Sequence, residues 1–127
     1  MLNIINTSQK QKKELQKIIK DITKKHINDD IIDLNMIDTS NIDNMSQLFL
    51  HNRKQYDISQ WDVSNVKDME GMFAYSEFNQ DISNWNVSNV ISMHGMFYSS
   101  KFNQDLTTWK NKIKDKKLLE YIKDYIK

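Results

Sequence analysis

Apolar residues along this chain return in a fixed order at a fixed step. Ile58-x-x-Trp61-x-Val63-x-x-Val66 is followed by Met69, Met72 and Phe73, and the same order reappears 24 residues later as Ile82, Trp85, Val87, Val90, Met93, Met96 and Phe97. The polar residues between them repeat too. Phe78-Asn79-Gln80-Asp81-Ile82-Ser83-Asn84-Trp85 returns as Phe102-Asn103-Gln104-Asp105-Leu106-Thr107-Thr108-Trp109. A step back from the second unit exposes a degenerate first one, in which Leu34, Ile37, Thr39, Ile42, Met45 and Leu48-Phe49 hold the apolar positions. The units run over 33–56, 57–80 and 81–104, with a truncated fourth from Asp105. A period of this length is the signature of a stacked repeat architecture.

Within each unit the spacing suggests two kinds of local structure. Inward residues two apart predict short parallel strands near 36–40, 60–64 and 84–88, about 4.8 Å apart. Val66, Met69, Met72 and Phe73 then fit one or two helical turns. Gly71 and Gly95, the only glycines, fall inside those turns at matched positions, which we read as a close approach between units. Ser64-Asn65 and Ser88-Asn89 sit where the period changes and suit capping or bend-satisfying roles. Residues 1–7 read as frayed. From Ser8, a plausible N-cap, to about His26, Leu15, Ile18, Ile19 and Ile22 form a one-sided apolar stripe that predicts an amphipathic helix. Leu118, Leu119, Ile122 and Ile126 predict another over about 115–127. Both are expected to close the ends of the stack.

The phrase Phe-Asn-Gln-Asp-Ile-Ser-Asn-Trp-Asn-Val-Ser-Asn-Val followed by Met-x-x-Met-Phe at 78–97 closely resembles the BspA-like leucine-rich-repeat proteins, in the version common in mycoplasma lipoproteins and bacterial surface proteins. The likeness covers about 33–109. It implies a right-handed coil with a strand-lined face and a role in protein binding or adhesion, with no catalytic residue or cofactor to carry over. The expected fold is therefore an α/β solenoid, a leucine-rich-repeat-like right-handed coil of 24-residue repeats with short parallel strands and short helical turns, capped by N- and C-terminal α-helices. One domain is expected over 1–127, with a helical cap at 8–27, repeats at 33–109 and a second helical cap at 110–127.

Composition narrows the functional classes. The 127 residues suffice for one domain, and the net charge of +1 calls for neither nucleic acid nor an acidic membrane. The charge is unevenly spread: residues 1–32 and 105–127 each carry +3, and residues 33–104 carry −5. Cysteine is absent, so no disulfide or thiolate metal site is available. No apolar run approaches the ~20 residues of a membrane span, and nothing at the start resembles a secretory leader. As written, the chain is expected to be cytoplasmic, although the resembling family is often found at the cell surface.

Candidate chemistry is sparse. His26, His51 and His94 lie in different segments, no serine is framed by a nucleophile motif and no glycine-rich phosphate loop occurs, so we expect no enzyme. Asp33, Asp57, Asp81 and Asp105 fall in register, but no loop offers six oxygen ligands for Ca²⁺, and local turn bonding explains them better. Met45, Met69, Met72, Met93 and Met96 suit a core rather than a soft-metal site. No metal or cofactor is expected. If the strands are placed as above, Met36, Gln60 and Asn84, then Asp38, Asp62 and Asn86, then Ser40, Ser64 and Ser88 form outward columns, and the serines with Asn41, Asn65 and Asn89 beside them fit backbone satisfaction between units. The Leu50–Gln55 insertion adds an exposed basic loop with His51, Arg53 and Lys54. The expected partner-binding residues are Gln60, Asp38, Asp62, Asn84, Asn86, His51, Arg53 and Lys54. The expected function is a non-catalytic protein-binding module, and the alternative is an inhibitor, encoded by a phage or mobile element, that blocks a host effector such as a defence nuclease. Nucleic acid is disfavoured by the acidic middle, and pairing with another copy of the chain is open.

Overall fold

Eighteen residues, Ser8–Lys25, form the single α-helix (α1) among the residues described by a computed structural model of the chain, which are 2–3 and 8–127, with side chains from Gln11 onward. Its predicted stripe does the packing. Leu15 and Ile19 are buried, and Ile18 and Ile22 pack against the same core. The Lys12 ammonium donates to the Ser46 hydroxyl at 2.9 Å, and the Thr23 and Tyr56 hydroxyls meet at 2.8 Å, so α1 is tied to the first unit by polar as well as apolar contacts. The N-cap role expected of the Ser8 side chain lies outside the described residues. Leu2–Asn3 is not frayed: it forms strand β1, paired in parallel with β3 (Ile37–Asp38), while β2 (Ile32–Asp33) pairs in parallel with β4 (Tyr56–Asp57). The remaining residues of the predicted frayed stretch lie outside the described residues.

These two sheets of two short strands overturn the α/β solenoid of leucine-rich-repeat type. No strand forms at 60–64 or 84–88, no helical turn forms between Val66 and Phe73, and the C-terminal cap is not an α-helix. The reason lies in the two-residue gaps of the apolar pattern. Ile58 and Trp61 are the ends of one tight turn, with the Trp61 amide donating to the Ile58 carbonyl at 3.1 Å, and Val63 and Val66 close another at 2.9 Å. Ile82–Trp85 and Val87–Val90 do the same at 3.2 Å each. In such a turn the first and fourth residues approach each other, so both can point inward while the two polar residues between them face water.

The stretch expected to be helical is built on a different alternation. The amides of Met45, Gln47, Phe49 and His51 donate to the carbonyls of Asp68, Glu70, Met72 and Ala74, each 23 residues ahead, while those of Leu48, Leu50 and Asn52 donate back to Met45, Gln47 and Phe49. Met69, Gly71, Phe73 and Tyr75 repeat the forward pattern onto Ser92, His94, Met96 and Tyr98. Two left-handed residues per unit make this possible: Gln47 and His51, Gly71 and Tyr75, Gly95 and Ser99 all have φ between 52° and 64°. An α-helix cannot continue through such positions. Gly71 and Gly95 therefore serve a backbone conformation rather than a close approach. A Cβ on Gly71 would lie 3.4 Å from the Gln47 side chain, and one on Gly95 3.9 Å from Tyr98, both ordinary contacts.

The core follows the 24-residue register. Phe49, Phe73 and Phe97 stack at 5.6 Å between successive rings, and Phe78 and Phe102 form a second column 6.1 Å apart, each in contact with the first column at 4.4 Å. Lys54 occupies the register position of Phe78 in the first unit, and the Tyr56 ring packs on Phe49 there instead. The indoles are buried beside the phenyls. Trp61, Trp85 and Trp109 donate their ring N–H to the carbonyls of Leu34, Ile58 and Ile82 at 2.9, 2.9 and 3.1 Å. At the C-terminal end, short 3-10 segments at Thr107–Asn111 and Lys116–Tyr121 bury Trp109 and Leu118, Ile122 is buried between the second and a third at Lys123–Tyr125, and the Tyr125 ring covers Phe97 and Phe102. Runs of three to six residues are too short to recover the cost of nucleating an α-helix.

The left-handed positions make a direct test of this backbone. Gly71→Ala is expected to lose about 1–2 kcal/mol in urea unfolding, and Gln47→Gly to gain about 0.5–1 kcal/mol, because only the second relieves a side chain at positive φ. A neutral Gly71→Ala substitution would contradict the assignment.

Candidate binding surface

The carboxylates that fall in register are turn formers. Asp33, Asp57, Asp81 and Asp105 each accept, through Oδ1, the amide of the residue two positions on, at 2.8 to 3.0 Å. Asp38 and Asp62 do the same for Ser40 and Ser64 and also take the serine hydroxyl, and Asn86 accepts from the Ser88 amide. These bonds perturb ionisation. The Ser40 hydroxyl and amide hold the Asp38 carboxyl below the usual carboxylate range, the Asn35 side chain and then Ser59 do so for Asp57, and Thr107 does so for Asp105.

Neighbouring turns are linked by amides. Asn65 and Asn89 donate to the Ser40 and Ser64 carbonyls at 2.6 Å, the backbone role expected of that column, and the Asn35 side chain accepts from the Gln60 amide. Gln60, Asp62, Asn84 and Asn86 are exposed and Asp38 is half-buried. Gln60, Asp62, Asn84 and Asn86 sit on turns and not on a strand face, Asp38 is the last residue of β3, and one oxygen of Asp38, Asp62 and Asn86 is already committed to a turn.

The basic loop separates into different roles. The Lys54 ammonium reaches back to the Ile27 carbonyl at 3.0 Å, beyond the end of α1, and its amide is held by Asn52, so this residue anchors the loop. Arg53 is exposed. His51 stands apart from the aspartate columns, stacked on Tyr75 with 5.1 Å between ring centroids. Tyr75 in turn meets Tyr98 edge-on at 5.4 Å. These tyrosines are 50% and 61% exposed. Sequence reasoning overlooked both. The available signal was their place just after the inward Phe73 and Phe97, where a large aromatic residue has no core position to fill.

Beside this strip lies a groove of about 610 Å³. Glu70, Gly71, Ala74, His94, Gly95 and Tyr98 line it, together with Tyr121, Asp124 and Tyr125 from the last 3-10 segments. The His94 and Tyr121 rings meet edge-on at 5.4 Å. Burial raises the Tyr125 phenol above its ordinary value, so it stays a neutral donor at physiological pH. Gln47 lines the groove beside Gly71, where the first unit has no glycine. The groove is open to solvent rather than enclosed. Among the described residues no cluster of three or more His, Asp or Glu has the arrangement of a metal site, and no helix is long and apolar enough to cross a membrane.

The depressed aspartates fix the sign of an acid response. A carboxyl whose folded value lies below its unfolded value of about 3.9 contributes stability above that pH, and the contribution is lost as pH falls through the lower folded value. Urea midpoints are expected to fall below about pH 4. Asp57→Asn keeps an amide oxygen on the Ser59 N–H but not the charge, so its midpoint is expected to lie below wild type at pH 7 and to fall less steeply in acid, converging on wild type at low pH. An unchanged acid slope would remove Asp57 from this account.

No curated protein and no solved structure matches the chain. A family model does match, over residues 13–123, which reach from the first turns of α1 to the start of the last 3-10 segment. The chain belongs to the family described as Mycoplasma protein of unknown function, DUF285.

Proposed function

We propose that the chain is a non-catalytic protein-binding module that acts by occupying its partner. The observation that carries this reading is the contiguous exposed aromatic strip of His51, Tyr75 and Tyr98 beside the groove that Gly71 and Gly95 line. Tyrosines half or more exposed leave apolar ring area in water that a partner can cover, and aromatic residues are the commonest anchors of protein interfaces. The strip is also rigid. Tyr75 is held at positive φ with its amide bonded to the Tyr98 carbonyl at 2.8 Å, so little freedom remains to be lost on binding.

The phrase shared with the BspA-like proteins supports the same reading. It is the repeated Phe-Asn-Gln-Asp and Trp-Asn-Val-Ser-Asn-Val wording, and we take the common ground to be protein binding rather than a strand-lined surface. The contact assigned here moves accordingly. Asp38, Asp62, Gln60, Asn84 and Asn86 become peripheral, Lys54 is structural, and His51 with Arg53 stays within the contact region.

Immobilised chain exposed to an extract of the source cell tests this. A saturable protein partner is expected, and Tyr75→Ala with Tyr98→Ala should weaken its measured Kd by at least about tenfold. Asp38→Lys with Asp62→Lys should leave it within about threefold, since those side chains would lie at the rim of the interface. Loss through the aspartate pair with retention through the tyrosine pair would relocate the contact, and absence of any saturable partner would reject the function.

A further inference from the structure

The groove carries a charge pattern of its own. Glu70 and Asp124 both line it, and its lining includes no lysine or arginine. The nearest cation in sequence is already committed, because the Lys123 ammonium sits 2.6 Å from Glu120. Neither Glu70 nor Asp124 is a member of the His26–Asp29 or Lys123–Glu120 ion pairs, although Asp124 also acts on the Lys123 ammonium beside it in sequence. Two carboxylates thus border a recess walled by Tyr98 and Tyr121, with the His94 ring edge-on to Tyr121. Gly71 and Gly95 contribute main chain without a side chain to this lining, with the Gln47 side chain beside the first and Tyr98 beside the second.

From this arrangement we infer that the groove receives an arginine side chain of the protein partner, an inference that rests on the binding reading above. The guanidinium is planar, stacks on tyrosine faces and pairs with carboxylates through two parallel N–H groups, whereas an ammonium offers only a point charge. The tyrosines supply the faces and Glu70 and Asp124 supply the charge. Gly71 and Gly95 supply the depth, at the two units where glycine replaces the Gln47 found in the first.

The probe is the tripeptide acetyl-Gly-Arg-Gly-amide, titrated into the full chain while the ring signals of His94, Tyr98 and Tyr121 are followed by NMR. Its citrulline counterpart keeps the shape and removes the charge. Saturable shifts confined to the groove are expected at millimolar concentration for the arginine peptide, at least about tenfold weaker for citrulline and for Glu70→Gln with Asp124→Asn. Both carboxylates are on the surface, so this variant should fold, and unchanged chemical shifts of the buried Trp85 indole would verify it. Equal binding of citrulline, unaltered binding by the double variant, or shifts centred outside the groove would each overturn the inference. Self-association that buries the groove, seen by sedimentation, would overturn it as well. If the tripeptide fails while Tyr75→Ala with Tyr98→Ala still weakens the captured partner, the arginine site alone is wrong and the binding reading stands.

Discussion

Backbone N–H groups need partners, and in this chain they are divided between two sources. Over 45–51, 69–75 and 93–99 one set of amides closes tight turns within its own segment and the alternate set, where a further segment follows, reaches the carbonyl 23 residues ahead. A buried N–H with no acceptor costs about as much as a lost hydrogen bond, so a fold with so little regular helix and strand must find such a division. The 24-residue spacing is the sequence-level condition for it. Inserting or deleting one residue inside a unit would put a donor where its neighbour presents a donor.

The side chains extend the same accounting. The carbonyl of Ile58 takes the Trp61 amide and the Trp85 indole N–H, and that of Ile82 takes the Trp85 amide and the Trp109 indole N–H. Both lone pairs of a buried carbonyl are then used, and this is what tryptophan offers that phenylalanine cannot. Amide side chains do equivalent work nearer the surface. The Asn79 amide donates to the Gln55 side chain and the Asn103 amide to the Asn79 side chain, so Gln55 preserves the register where the first unit has lost its asparagine. Between these polar ties the phenyl columns exclude water. α1 packs Leu15 and Ile19 into the core near the first unit, and Tyr125 seals the other end.

Much of this was legible before any coordinates. The period, the inward direction of Trp61, Trp85, Trp109 and the phenylalanines, the amphipathic face of α1 and the turn role of the aspartates all follow from residue type at fixed spacing. The local conformation did not. An apolar pair separated by two polar residues fits a strand edge, a helical turn or a tight turn, and only the hydrogen bonds distinguish Ile58–Trp61 as a turn. The glycines held the missing clue. Gly71 and Gly95 mark left-handed positions, but Gln47 at the matching place masks the requirement, because the first unit bears the cost of a side chain at positive φ there.

That same requirement links the backbone to the groove. A left-handed residue recurs twice per unit, four positions apart, and the residue type chosen at each place shapes the surface above it. Where the first position is glycine, at 71 and 95, the outer surface is stripped to the main chain and a recess opens. Where the second is His51 or Tyr75, a ring is carried outward on a fixed stem, since the amides on that stem are already bonded to the next segment. A conformation demanded by hydrogen bonding inside the stack thereby supplies both the depth and the aromatic edge of the surface outside it. The acidic and aromatic lining then comes from residues free of core duties, Glu70, Tyr98, Tyr121 and Asp124, which the fold leaves open to vary. Substitution at those positions can therefore alter the outer surface while every bond that stacks the segments stays in place.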